Sequence, residues 1–261
     1  MKIFLQNKYL LDLFAAVMFF TRIPVNWKLL SNKPPDLTRA AWSFPLIGFL
    51  VGTLSGIFGD LCLLIGLPIF LSCLIAVVLS VIITGAFHED GLADIADGFG
   101  AGGTPEKINN IIHDSRLGTY GTSALTLGLL MRLGLAISLV ELGYSLFIIL
   151  SFGFASGKLA IIFTRNYFNV SLFSKTGSII GTVSNKKLII ATIIWLIPII
   201  FVFPFFGISF VISLVFIVIF IMGSLSQKKI GGITGDVLGA TAFIAELIFL
   251  LGLTIYLRVL F

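Results

Sequence analysis

The chain has 261 residues, 58% of them hydrophobic and only 11% charged, with a mean hydropathy of +1.12. Soluble domains carry about 25% charged residues, so this composition excludes an ordinary water-facing surface and places the chain in a bilayer. The net charge of +5 then belongs to loops on one side of that bilayer and does not argue for nucleic acid. Cys62 and Cys73 lie in one apolar stretch and read as small buried hydrophobes, with no disulfide framework.

In chain order, Lys2 and Lys8 precede "LFAAVMFF", which has the apolar character of a signal-peptide core. Asp12 interrupts its approach and "TRIPVNWK" follows with no small-residue cleavage site, so residues 9–22 are predicted to form an interfacial or partly inserted helix. Seven stretches of about 20 apolar residues then predict spanning helices, at 41–59, 61–84, 120–140, 145–163, 188–206, 208–225 and 239–258. Short turns are expected at Asp60, at 141–144 and around Gly207. The predicted fold class is all-α: a polytopic membrane bundle, residues 1–261 forming one membrane-embedded domain without internal repeats. If every stretch crosses, the segments before 41, 85–119, 164–187 and 226–238 share one side and hold 14 of the 17 Lys and Arg. The positive-inside rule makes that side cytoplasmic. Arg258 stands alone opposite, while Arg132 and Lys158 fall inside spans, as does Glu246; charges there default to function, with mutual pairing as the structural alternative.

Six of the twelve acidic residues lie in 89–114, on the cytoplasmic side. Within "HEDGLADIADG" (88–98), Asp90, Asp94 and Asp97 follow i, i+4, i+7 and share one helical face, with neighbours about 5–6 Å apart. Like charges at that spacing repel, and a divalent cation relieves the repulsion. Mg²⁺ suits one or two carboxylates plus waters and substrate phosphates; a solvated acidic face with a turn at Asp90–Gly91 is the alternative. Gly98, Gly100, Gly102 and Gly103 predict a flexible loop. Thr104 and Pro105 predict the cap and first residue of a short cytoplasmic helix, 105–113. In "HDSRLGTYG" (113–121), Asp114 is a further candidate ligand and Arg116 a fork for phosphate. Gly118 and Gly121 leave bare amides at a helix start, a natural anion site. "GGITGDVLGA" (231–240) repeats the pattern with Thr234 and Asp236. Arg22, in "FFTRIP", is a headgroup anchor or a phosphate ligand.

Taken together these motifs resemble the cobalamin synthase (adenosylcobinamide-GDP ribazoletransferase) family. "FFTRIPV" (19–25), "FPLIGFLVG" (44–52), "HEDGLADIADGFGAG" (88–102), "DSRLGTYG" (114–121) and "GGITGDVLGA" occur in the family's order and cover nearly the whole chain. Lys158 is a departure, standing where the family's fourth span carries Arg, and it lacks the bidentate fork. The resemblance implies a Mg²⁺-dependent enzyme of the bacterial or archaeal cytoplasmic (inner) membrane, its active site facing the cytoplasm. It implies transfer of the cobinamide phosphate of adenosylcobinamide-GDP to α-ribazole, or its 5′-phosphate, with release of GMP. On this reading Asp90, Asp94 and Asp97 hold Mg²⁺ on the pyrophosphate, joined by Asp114 and Asp236. Arg116, Gly118, Gly121, Thr234 and Arg22 bind substrate, and Asp97 or His88 takes the hydroxyl proton. The expected partners are the two substrates and the lipid bilayer, without nucleic acid, and a homo-oligomer stays open. Two rivals remain. The CDP-alcohol phosphotransferases carry D-G-x-x-A-R, a pattern that "DGLADI" (90–95) does not complete with Arg. A divalent-cation or solute transporter would suit the intramembrane charges but lacks paired interrupted spans in two halves.

Overall fold

The structure, a computed structural model, describes residues 7–174 and 180–260; Lys2 lies outside them. Its helices are α1 (Lys8–Phe20), the single turns α2 (Trp27–Leu30) and α3 (Leu37–Ala40), α4 (Phe44–Leu64), α5 (Ile69–Thr84) and α6 (Phe87–Ala101). After these come α7 (Pro105–Ile112), α8 (Thr119–Glu141), α9 (Leu146–Tyr167), α10 (Asn185–Ile200), α11 (Phe205–Ile230) and α12 (Gly235–Ile255). The all-α membrane bundle expected from the sequence is what forms. At its centre α9 is buried without a break from Ile149 to Ile162, as a helix apolar on all sides must be. Around it stand α4, α12, α10 and α11.

Each of the seven expected spans has a helix, but five reach the length and apolarity needed to cross: α3 with α4, then α8, α9, α11 and α12 extended to Val259. A sixth forms if α5 and α6, bent by 86°, count as one broken span. Helices α5 and α10 have 16 residues each, a rise of about 24 Å, short of the roughly 30 Å hydrocarbon core.

Three expected breaks move. The turn placed at Asp60 falls after Leu64, at Gly66 (φ +90°). Asp60 stays helical because its carboxylate accepts the first amides of α9, from Leu146 and Phe147 at 2.8 and 3.0 Å, where a helix N-terminus welcomes negative charge. The turn expected around Gly207 falls at residues 201–204, and Gly207 lies inside α11. Gly98 and Gly100, expected in a flexible loop, are the last turns of α6. They are small because Ile112 packs onto the first and the Tyr120 ring onto the second. Helix α7 starts where Thr104 and Pro105 predict, with Thr104 Oγ1 accepting the Lys107 N–H.

The tightest packing is between α4 and α9. Gly48, Gly52 and Gly56 repeat every fourth residue and bring α4 directly onto the α9 backbone at Ala155, Leu150 and Leu146. Apolar surface gains nothing by leaving lipid for protein, so close backbone approach supplies the association. A methyl on Gly52 would overlap the Leu150 carbonyl, whereas Gly134 on α8 has open space. Gly52→Ala is therefore expected to destabilise the bundle by about 1–3 kcal/mol and Gly134→Ala to leave it unchanged. Thermal unfolding of the two variants in detergent checks this, and equal melting temperatures would remove the α4–α9 seam as a stability determinant.

Candidate active site

The acidic motif is carried on α6. The chain leaves apolar α5 through Gly85 (φ +67°) and Ala86 (φ +57°), two successive left-handed residues that swing α6 across the bundle. For alanine that conformation is strained, and it persists because the packing on both sides fixes it. The Arg22 side chain lies over Gly85 in the space a Cβ would need, and the Arg22 N–H donates to Ile83 O at 2.7 Å. Helix α6 then packs on α8 and α12. Gly91 lets the start of α12 approach, its missing Cβ facing the Asp236 carbonyl and Gly239.

A buried ion network sets the register of these three helices. Arg132 of α8 is 0% exposed and binds Glu246 of α12 through Nε (2.7 Å) and Nη2 (2.9 Å), and Glu89 of α6 through Nη1 (2.6 Å). The Phe243 and Phe154 rings lie 4.3 and 5.0 Å from its guanidinium carbon. The structural alternative for Arg132 and Glu246 is the one observed, and Glu89 is the partner that the sequence reading left out. Lys158 stands beside this network, with Nζ 3.3 Å from His88 Nδ1 and near the Phe20 ring.

With that register, acids from distant motifs meet at one opening. A cleft of about 510 Å³ is lined by Asp90 and Asp94 of α6, Asp236 of α12, and His113, Asp114 and Arg116 of the loop between α7 and α8. Asp90 and Asp94 make no side-chain hydrogen bond or ion pair among the described residues. Among the described residues no three His, Cys, Asp or Glu side chains come together as a ready-made metal set. The arrangement still suits the ion expected from the sequence. Mg²⁺ takes one or two carboxylates and completes its shell with water and phosphate, and two unpartnered carboxylates with Asp236 nearby supply that much.

Several expected roles change. Asp97 is not a free carboxylate: Oδ2 accepts the Gly118 N–H at 2.7 Å and Oδ1 the Gly121 N–H at 2.8 Å. It caps α8 from α6, so both of its oxygens are already engaged by backbone amides. The same bonds correct the reading of Gly118 and Gly121, whose bare amides do form an anion site, filled by the chain's own Asp97. Both must be glycine, since a Cβ on either would collide with that carboxylate. Asp114 is held by Arg116, with Nη2–Oδ2 at 2.7 Å and Nε–Oδ1 at 3.1 Å. Hydrogen bonding from Arg116 keeps its carboxyl down at about 2. Asp114 is thus already paired with Arg116, and Arg116 reaches the cleft with its fork engaged. Thr234, 1% exposed, caps α12 by accepting the Val237 N–H. Arg22 does not line this cleft. His88 is buried, with Nδ1 3.3 Å from Lys158 Nζ; an ammonium has only donors, so a protonated Lys158 makes Nδ1 the acceptor.

Comparison with known proteins agrees with this geometry. A family profile described as Cobalamin-5-phosphate synthase matches residues 12–254. Curated proteins named adenosylcobinamide-GDP ribazoletransferase are similar over most of the chain. That of Azorhizobium caulinodans is 34% identical, covering 97% of this chain and 98% of its own. That of Clostridium botulinum is 35% identical over 92% and 96%, and that of Shewanella frigidimarina 38% identical over 89% and 90%. No solved structure matches. The profile spans both acidic motifs, the α6–α8–α12 ion network and every wall of the cleft, and on that ground the chain belongs to the cobalamin-5-phosphate synthase family.

Proposed function

We infer that this chain is an adenosylcobinamide-GDP ribazoletransferase, performing the final assembly step of the cobalamin nucleotide loop. It transfers the cobinamide phosphate of adenosylcobinamide-GDP to α-ribazole or its 5′-phosphate. The observation that carries this is the meeting of Asp90, Asp94 and Asp236 at one cleft with Arg116, in a chain whose relatives bear that name. The acceptor hydroxyl forms a new bond to the phosphorus bearing cobinamide, the bond from that phosphorus to the bridging oxygen breaks, and GMP leaves with that oxygen. Such transfer needs positioning and charge neutralisation more than covalent chemistry. Asp90 and Asp236 are the residues that would hold Mg²⁺, which when bound offsets charge on the pyrophosphate oxygens. Asp94, also without a partner, takes the proton of the attacking hydroxyl. Arg116 exchanges Asp114 for a phosphate oxygen; an exposed Arg–carboxylate pair is worth little, so the exchange is cheap, and a guanidinium fork fits phosphate as well as carboxylate.

The site faces the cytoplasm of a bacterial or archaeal cell on this reading: counted with all seven apolar stretches crossing, 14 of the 17 basic residues share its side. The transporter reading loses its support: Arg132, Glu89 and Glu246 are bound to one another inside the bundle. The test uses the chain in lipid nanodiscs with adenosylcobinamide-GDP and α-ribazole, following GMP release and product mass. With Mg²⁺ stoichiometric GMP and cobalamin are expected, and with EDTA at least a hundredfold less. Equal product with EDTA removes the metal while keeping the reaction. Turnover of a CDP-alcohol in place of the corrinoid moves the chain to the rival phosphotransferase class.

A further inference from the structure

Asp114 and Arg116 form a wall common to two openings. One is the cleft that holds Asp90, Asp94 and Asp236. The other is a second cleft of about 320 Å³, which reaches from Ala101 at the end of α6 to Thr119 and Tyr120 in the first turn of α8. The shared pair is open to a ligand, the Arg116 side chain being 87% exposed and that of Asp114 36%.

Two features of the second cleft point to a ligand. The Tyr120 ring is held against Gly100, where a Cβ would come within 2.6 Å of its Cγ, yet the residue is 58% exposed. A ring fixed on one side and open on the other is a platform on which a nucleobase stacks. The second feature is Asp114. When Arg116 turns to a phosphate oxygen, Asp114 keeps the bond from the Arg116 backbone N–H at 3.1 Å, which holds it in place, and loses the guanidinium from its carboxylate. A carboxylate accepts two parallel N–H bonds, as it does from arginine. Guanine is the nucleobase that presents two adjacent N–H donors on its pairing edge, at N1 and the 2-amino group. The benzimidazole of the acceptor has none.

We propose that the second cleft binds the guanine nucleoside of the donor, with the base stacked on Tyr120 and Asp114 accepting from its N1–H and 2-amino group. The proposal rests on the transferase reading given above. The guanosine then lies on the Tyr120 side of Arg116 and the cobinamide phosphate on the side of Asp90 and Asp236, so the pyrophosphate crosses the wall that the two openings share. Asp114 and Arg116 each exchange the other for a complementary group of one nucleotide, and neither charge is left unpaired. Asp114 is accordingly a binding residue for the leaving group.

The test is calorimetric binding, to the protein in nanodiscs, of GMP and of IMP, which lacks only the 2-amino group. Wild-type protein is expected to bind GMP about tenfold tighter than IMP. Asp114→Ala is expected to bring the two within about twofold of each other. That substitution frees Arg116 equally for both phosphates, so the ratio reports the contact with the base. Asp114→Glu, which keeps a carboxylate, retains part of the preference. Tyr120→Leu is expected to weaken both nucleotides about tenfold, and Tyr120→Phe, which keeps the ring, recovers most of that loss. Equal affinity of wild type for GMP and IMP overturns the assignment without any variant. A preference that survives Asp114→Ala also overturns it, since a merely structural aspartate behaves so. Wild-type binding of both by Tyr120→Leu does the same, being the behaviour of a tyrosine that serves only the membrane interface. GMP release from adenosylcobinamide-GDP on the same samples separates the two readings. Release without a preference for GMP over IMP retains the transferase and removes this subsite. No release, and no binding of GMP, removes both.

Discussion

Arg132→Met is expected to be the most destabilising single substitution in the molecule, costing about 3–5 kcal/mol of a total that for most proteins is about 5–15 kcal/mol. The guanidinium is fully buried and holds two carboxylates from different helices. Removing it leaves Glu89 and Glu246 facing each other in a low-dielectric core with Lys158 as the remaining cation. Methionine fills much of the volume, so the loss is electrostatic and little of it is cavity. Glu89→Gln in the Arg132→Met background restores one positive and one negative charge, Lys158 and Glu246, and is expected to recover part of the loss. Arg132→Lys keeps the charge but not the fork that grips Glu246 through two nitrogens, and falls between. Monodispersity after detergent extraction and the melting temperature of the four proteins report this. If Arg132→Met and the double variant melt together with wild type, the network does not hold α6, α8 and α12 in register.

The bundle was legible in the sequence wherever one physical signal dominated. Runs of apolar residues located α4, α8, α9, α11 and α12, and Thr104–Pro105 located the start of α7 to the residue. The misplaced breaks share a cause: local signals read as loop were overridden by tertiary partners. Asp60 looked like a turn because a carboxylate inside an apolar run is unfavourable, until the amides of α9 are placed against it. Gly98 and Gly100 looked like a flexible linker because their neighbours, Ile112 and Tyr120, come from later elements. The candidate site divides in the same way. Periodicity alone put Asp90 and Asp94 on one face, and motif repetition brought in Asp236; all three line the cleft. That Asp97 would bend back to cap α8, that Asp114 would close on Arg116, and that Glu89 would turn inward to Arg132 are facts about side chains 2 to 43 residues apart. No spacing rule reaches them. Phe19 and Phe20, read as part of an apolar helix and of "FFTRIPV", gave no sign that they wall a cavity with His88, Asp90 and Asp236.

Asp94→Asn is expected to lower kcat/KM for the transfer by about 10²–10⁴-fold, the range for loss of a general base, while leaving the fold intact. Among the described residues its carboxylate makes no hydrogen bond or ion pair, and it sits one turn from Asp90 and lines the same cleft as Asp236. Neutralising it relieves repulsion worth a few tenths of a kcal/mol per like-charged pair on a helix, so the melting temperature without Mg²⁺ should stay level or rise slightly. Activity and stability then move in opposite directions, as they do where a site keeps unfavourable charge for function. Asp97→Asn is the informative comparison, because that side chain accepts two backbone N–H groups and an amide accepts only on its oxygen. One amide of α8 loses its acceptor and meets a second donor, costing about 1–3 kcal/mol, so the melting temperature should fall together with activity. The two substitutions are chemically identical and three residues apart on one helix, and only the surroundings distinguish them. A drop in melting temperature for Asp94→Asn, or near-normal turnover by it, would move the reacting carboxylate elsewhere and leave Asp90 as the next residue to replace.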